Sequence, residues 1–205
     1  MGVEPRTADA NVVVPSPLLE PTWHYVHKVN LDEIDAEEWT MLRAQRSQFQ
    51  AVLQATAVLD MLRAGATLPS YGYEINNYLH CLQTATLVMR AGYGEEDIVV
   101  ALLHDIGFIV APMRHGEFAA ELLEPYISPK NQWMLRMHAL VQERHIHDGH
   151  ELSSSWETIT KQEHFEWTRE FVERFDQYAI SASSPIYPLS EFEPIVQEFF
   201  GKRLT

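Results

Sequence analysis

The stretch Ala101-Leu102-Leu103-His104-Asp105-Ile106-Gly107 decides what we expect of this chain. An apolar helix leads into an adjacent histidine and aspartate, and a glycine follows at once. Neighbouring residues of a regular helix point about 100° apart, so His104 and Asp105 can face one cavity only where the last turn opens. Gly107 is expected to supply the chain reversal at that point. The stretch predicts a buried helix that ends at two metal-ligating side chains.

Three further histidines accompany this pair. His80 precedes it, and His115 and His138 follow it. Imidazole nitrogen binds first-row metals such as iron, zinc and manganese. The two oxygens of one carboxylate, here Asp105, can bridge two ions. The set can therefore build a two-metal site, whereas each histidine alone would be read as a hydrogen-bonded core residue.

Composition limits the classes of protein that remain. The chain has 205 residues with 46% hydrophobic and 21% charged residues, which predicts an ordinary globular chain with a sizeable core. The net charge of −14 argues against nucleic acid and anionic membranes as partners. The start of the chain does not resemble a signal peptide. The single cysteine, Cys81, excludes an intramolecular disulfide, fits a cytoplasmic location, and is expected to be a buried small hydrophobe.

The sequence pattern predicts helices and no strands. Residues 1–34 are expected to form an irregular N-terminal arm, and residues 35–205 a single helical domain. Asp35 is expected to cap the first helix, with Glu38 completing a capping box. Later helices are expected over 74–90, 95–106, 115–123, from 129, over 160–176 and over 190–200, with a polar, turn-rich segment at 145–155.

Six side chains give the chain a family resemblance, in this order: His80, His104, Asp105, His115, His138 and Asp176. The order resembles the HD-domain superfamily of helical metalloproteins, over residues 68–200. The resemblance implies an all-α HD-domain helical bundle with a two-metal site in its centre. It places one ion on the first two histidines and both carboxylates, and a second on Asp105 and the last two histidines. A helix-capping acid is the alternative role for Asp176.

Three functional classes share this ligand set. Most HD proteins are phosphohydrolases or phosphodiesterases, whose metals lower the pKa of a bridging water and polarise a phosphate. A smaller branch contains mixed-valence Fe(II)/Fe(III) oxygenases, namely myo-inositol oxygenase and the phosphonate-cleaving HD oxygenases. Manganese or zinc would also suit the ligands. The third class is an inactive metal-bound module, which an intact ligand set argues against.

The stretch Glu74–Ala85 favours the oxygenase branch, because it resembles the ligand helix of the phosphonate enzymes. Their preceding loop places a tyrosine on the substrate-binding iron until substrate displaces it. Tyr71 would fill that place here, with Glu74 holding it by a hydrogen bond, and Tyr73 is the competing candidate. The resemblance implies an enzyme that uses O2 to oxidise a small polar hydroxylated substrate, with cleavage of a C–P or C–C bond among its reactions.

One position departs from the phosphonate enzymes. They place a lysine one turn beyond the fourth histidine, where this chain has Gln142. Arg144 lies close by and could grip an anion instead, although an exposed arginine at a helix end is the alternative. Gln142, Arg144 and Tyr73 are the expected substrate contacts.

Overall fold

The structure is a computed structural model that describes residues 24–143 and 153–202, and all regular secondary structure in these ranges is helical. The predicted all-α class is therefore confirmed. The α-helices of the described ranges are α1 (Ala36–Ala64), α2 (Asn77–Arg90), α3 (Glu95–Leu103), α4 (His115–Leu123), α5 (Pro129–Glu143), α6 (Ser153–Ile159), α7 (Phe165–Arg174) and α8 (Leu189–Gly201). Within the described residues, no helix combines the length and apolar character that crossing a membrane requires.

The chain divides into two compact units, Met1–Ala51 and Val52–Thr205. In the first unit, Asp35 Oδ1 accepts the backbone N–H groups of Glu37 and Glu38, each at 2.9 Å. The Glu38 carboxylate in turn accepts the Asp35 N–H at 3.1 Å. The predicted capping box is thus confirmed. The expected boundary after residue 34 stays a prediction, and residues 1–23 of the expected arm lie outside the described residues.

Helix α3 forms the centre of the second unit. All its residues from Ile98 to Leu103 are buried. Helices α2, α5 and α8 pack against it, and α4 and α7 pack against α5. The central buried helix that the apolar run predicts is confirmed. Its carboxyl end lies inside the bundle, so whatever follows Leu103 is delivered to the interior.

Helix α2 begins at Asn77 and not at residue 74, because Asn76 caps it. The Asn76 side-chain oxygen accepts the Leu79 N–H at 3.1 Å, and its amide group donates to backbone carbonyls of residues 65–68. Glu74 therefore lies on the loop before the helix. The side-chain amide of one residue fixes both the start of α2 and the course of the preceding loop.

The α-helical geometry of α3 ends at Leu103, three residues before the predicted end. His104 still has helical backbone angles, but Asp105 has φ −106° and ψ 12°, and a 3-10 helix follows over Ile106–Ile109. The helix opens at the His-Asp pair, as predicted. The predicted reversal at Gly107 is wrong, because among the described residues only Gly72 and Gly92 have positive φ.

Gly107 instead permits close packing. A Cβ atom at this position would lie 2.8 Å from the His115 carbonyl oxygen and 2.9 Å from the Phe118 Cβ. Gly116 has a similar role on the other side of α4, where a Cβ would lie 2.3 Å from the Leu135 carbonyl oxygen. These two glycines let the amino end of α4 approach its neighbours.

The helix expected over 160–176 is shorter in the structure, and a separate helix precedes it. Helix α6 covers Ser153–Ile159, so the turn-rich prediction fails for residues 153–155, while residues 144–152 lie outside the described part. Trp156 packs edge-on against Phe165, with ring centroids 5.7 Å apart, across the turn between α6 and α7. After α7, Phe175 leaves helical geometry with φ −124° and ψ −62°, and Asp176 begins a 3-10 helix.

We expect Gly116→Ala to lower the free energy of unfolding by about 1–3 kcal/mol, because the added methyl group meets backbone that must move. The control is Gly201→Ala, where an added Cβ would meet no described atom within 4 Å apart from its chain neighbours and the backbone of its own helix. That change should be neutral or stabilising, since alanine is the better helix former. Urea denaturation of both variants measures the difference, and equal effects would contradict the packing role of Gly116.

Candidate metal centre

The six predicted ligand side chains lie together beside the carboxyl end of α3. Three of them lie on helices, namely His80 on α2, His115 on α4 and His138 on α5. The other three follow helices, namely His104 and Asp105 after α3 and Asp176 after α7. His104, His138 and Asp176 are buried, with 0%, 2% and 1% of each residue exposed. The fold therefore joins residues that are distant in sequence.

The first set of ligand atoms belongs to His80, His104 and Asp176. The two Nε2 atoms are 3.1 Å apart. Asp176 Oδ1 lies 3.2 Å from Nε2 of His80 and 3.7 Å from Nε2 of His104. The Asp105 carboxylate lies 3.8 Å from both nitrogens, through one oxygen each.

A second set lies on the other side of Asp105. The Nε2 atoms of His115 and His138 are 3.1 Å apart. Each lies 3.3 Å from Asp105 Oδ1. Asp105 thus lies between the two sets, which is the position that a bridging carboxylate requires. His104 also lies near the second set, since ligand atoms of His104, Asp105 and His138 are all within 4.8 Å of one another.

Backbone carbonyls fix the orientation of all four imidazole rings. Each Nδ1 lies 2.8–2.9 Å from a carbonyl oxygen, in turn that of Ala179, Ala101, Pro112 and Leu135. A carbonyl oxygen can only accept a hydrogen bond, so each Nδ1 carries the proton. In a neutral ring the Nε2 lone pair then points into the cluster, as in metal-ligating histidines.

The paired nitrogens need a cation between them. Two lone pairs that face each other at 3.1 Å repel unless a proton or a metal ion lies between them. Ligand nitrogens about 2.1 Å from one ion lie about 3.0 Å apart at a 90° angle, and about 3.4 Å apart at a tetrahedral angle. The observed spacing of 3.1 Å lies between these two values, so both nitrogens of a pair could bind one ion.

The pKa values reflect the same electrostatics. Burial lowers the pKa of His80, but the hydrogen bond and charge of Asp176, with the charge of Asp105, raise it to about 9. Burial raises the pKa of Asp176, but His104 and His80 hold it well below its usual range. The cluster thus favours positive charge at Nε2 of His80, from a proton or from a metal ion.

Asp176 also has an unsatisfied oxygen. Its Oδ2 is buried and has no hydrogen-bond partner in the described part of the chain. Its Oδ1 accepts a hydrogen bond from the Gln142 side-chain amide at 3.4 Å. A buried carboxylate oxygen without a partner is costly, and a metal ion on this carboxylate would remove that cost. The residues present therefore fit a metal centre.

The ligands open into a cavity of about 650 Å³. His80, Asp105, His115, His138 and Asp176 line it, whereas His104 lies behind them. The remaining lining residues fall into a polar group, Ser70, Tyr71, Tyr73, Asn76, Asn77 and Gln142, and an apolar group, Leu68, Ile75, Phe108, Ile109, Pro112, Ala179 and Ile180. A molecule of moderate size could thus reach both sets of ligands.

The expected substrate contacts are placed as follows. Tyr71 and Tyr73 line the cavity and are exposed. Glu74 does not make the expected hydrogen bond to Tyr71: its carboxylate accepts the Ser181 hydroxyl at 3.2 Å and the Ala182 N–H at 2.8 Å. Glu74 instead connects the tyrosine loop to the segment after Asp176. Gln142 lines the cavity, and Arg144 lies outside the described residues.

Several residues of the site were missed in the sequence. The Asn77 amide donates to the Asp105 carbonyl at 3.1 Å and so holds the backbone of the bridging residue. Its position one turn before His80 could have indicated it. Ala179 and Ile180 follow a 3-10 turn, and no periodic signal marks them. Cys81 is fully buried in the apolar core, as expected.

No model of a known protein family matches this chain, and no match was found among curated proteins. Its function is therefore argued from the site.

We expect Asp105→Ala to lose both metal ions and His115→Ala to lose mainly one, because Asp105 is the carboxylate that lies between the two ligand sets. His24→Ala, at an exposed histidine, is the matched control and should keep the native metal content. Elemental analysis after gentle purification gives the metal content, and circular dichroism checks that each variant folds. Wild-type protein without metal, or equal losses in both ligand variants, would contradict the shared site.

Proposed function

We propose that the chain is a di-iron oxygenase that uses O2 to oxidise a small hydroxylated substrate, like the HD-domain oxygenases that its sequence resembles. The supporting observation is the pair of ligand sets that share Asp105 and face one open cavity. A mixed-valence pair of iron ions held there would supply the redox chemistry for oxidising a substrate C–H bond with O2.

Iron is proposed from the resemblance to the HD-domain oxygenases, since imidazole and carboxylate ligands also suit manganese and zinc. His80, His104, Asp176 and Asp105 would hold one ion. His115, His138 and Asp105 would hold the other with fewer protein ligands, which leaves more positions for substrate and O2. Metal analysis has to distinguish iron, manganese and zinc.

The chain's own groups would prepare the site before substrate arrives. The four Nδ1–H groups are held by backbone carbonyls, so the ligand nitrogens need little rearrangement on metal binding. Asn77 holds the Asp105 carbonyl, and Gln142 donates to Asp176 while its side chain lines the cavity. A substrate oxygen beside Gln142 would meet an amide that can donate or accept a hydrogen bond.

The described part of the cavity wall suits a hydroxylated substrate. The polar groups that do line the cavity, such as Tyr71, Tyr73 and Asn77, are neutral and suit hydroxyl groups. A metal-dependent phosphohydrolase is the alternative that the experiments must exclude.

The reaction class is tested by oxygen uptake. We expect reduced, iron-loaded protein to consume O2 in the presence of one or more members of a panel of polyols, hydroxy acids and hydroxyphosphonates. Protein reloaded with zinc is the control and should consume none. Phosphate release from nucleotides or aryl phosphates without O2, at enzyme-like rates, would assign the chain to the phosphohydrolases instead.

The tyrosine loop gives a second, spectroscopic test. If the Tyr71 phenol binds ferric iron before substrate enters, oxidised protein should show a visible charge-transfer band. Tyr71→Phe should remove the band and speed oxidation of the iron without substrate, at unchanged metal content. Tyr73→Phe, two residues away on the same loop, is the matched control. A protein without the band, or a band that survives both substitutions, would show that the loop does not bind iron.

A further inference from the structure

The cavity has an exposed apolar rim that the proposed chemistry does not explain. Leu68, Ile109 and Ile180 line the cavity, yet they are 36%, 42% and 44% exposed. They come from three separate segments: the loop after α1, the 3-10 helix after α3, and the chain beyond Asp176. Apolar side chains thus face the cavity from several segments of this unit.

The apolar character continues towards the ligands. Ile75 is buried and Phe108 is half-buried, and both line the same cavity. The Phe108 ring packs on the His115 imidazole, with centroids 5.2 Å apart. An apolar wall therefore runs from the exposed rim to one of the metal-ligating rings. The cavity is polar at its ligand end and apolar along this wall.

The volume of the cavity is also larger than a small polar substrate needs. About 650 Å³ lies in the range of pockets that hold drug-sized ligands. At about 30 Å³ for each water-sized group, it has room for roughly twenty of them. A small polyol bound at the ligand end would leave much of that space, and the apolar rim, in contact with water. Apolar surface of this kind is stabilised when an apolar group covers it.

We infer that the substrate is amphiphilic, with a metal-chelating hydroxylated end and an apolar group that contacts Leu68, Ile109 and Ile180. The inference rests on the metal site of the proposed function, but it does not depend on which reaction occurs there. The chelating end is set by the ligand cluster, and the apolar end by the wall. Ile109 and Ile180 are thereby assigned as specificity-determining residues.

The inference is tested with 2-hydroxyalkanoates of increasing length, from glycolate through 2-hydroxybutyrate and 2-hydroxyhexanoate to 2-hydroxyoctanoate. Each has the same hydroxyl and carboxylate oxygens for the metal, and only the alkyl chain grows. Binding to metal-loaded protein is measured by calorimetry under nitrogen. We expect the dissociation constant to fall about two- to fourfold for each added methylene until the chain passes the rim.

Two substitutions locate the effect on the wall. Ile180→Asn and Ile109→Asn should weaken binding of 2-hydroxyoctanoate about tenfold or more and leave glycolate binding unchanged, which also shows that the variants fold. Ile186→Asn is the matched control, because Ile186 is 38% exposed but does not line the cavity. It should leave the whole series unchanged.

The outcomes separate this inference from the proposed reaction. Affinity that is independent of chain length, or absence of binding throughout the series, would overturn the amphiphilic substrate, even if O2 uptake with another compound supports an oxygenase. Affinity that rises with chain length and falls in the two wall variants would support it. That result would stand even if the iron-loaded protein consumed no O2.

Discussion

The structure depends on one constraint: four imidazole rings must point their unprotonated nitrogens into the same small volume. Such an arrangement is unfavourable without a cation, because the lone pairs repel and the nearby carboxylates are desolvated. The surrounding helices hold it in place nonetheless. The buried α3 brings His104 and Asp105 to the interior, and glycines at 107 and 116 let α4 bring His115 close to His138. The packing of the second unit is thus arranged around a site whose ligands are stable together only when a cation is bound.

The cavity beside this cluster combines two environments. The ligand end carries buried carboxylates and imidazoles, and the outer wall carries apolar side chains such as Ile109 and Ile180. A chelating group and an apolar group of one molecule would be recognised by separate physical effects, namely coordination and removal of apolar surface from water. The two effects can vary independently, so the same ligand cluster would be compatible with different substrates when only the wall changes.

The sequence predicted the helical class and the central helix, because these depend on local pattern. The family resemblance singled out six side chains that the fold brings together, and their role as metal ligands stays a prediction. The capping box at Asp35 and Glu38 could also be predicted from the sequence, because it depends on residues that are three positions apart. The wall of the cavity could not be predicted from the sequence, because only the fold brings Ile180 and Leu68 to the same cavity. A hydrogen bond from the Tyr71 hydroxyl to the Glu74 carboxylate was expected by resemblance, but Glu74 accepts hydrogen bonds from Ser181 and Ala182 instead. Gly107 was assigned to a turn, but its role is a close contact with α4, the next α-helix along the chain.

The acceptors that orient the four rings have an evolutionary consequence. They are main-chain carbonyls, of Ala101, Pro112, Leu135 and Ala179, and a side-chain substitution at any of these positions leaves the oxygen in place. In centres whose histidines are oriented by carboxylate side chains, a single mutation removes the support. Here the orientation of the rings depends on the backbone and not on the side chains at these four positions. Substitutions there that keep the fold therefore also keep the orientation of the rings.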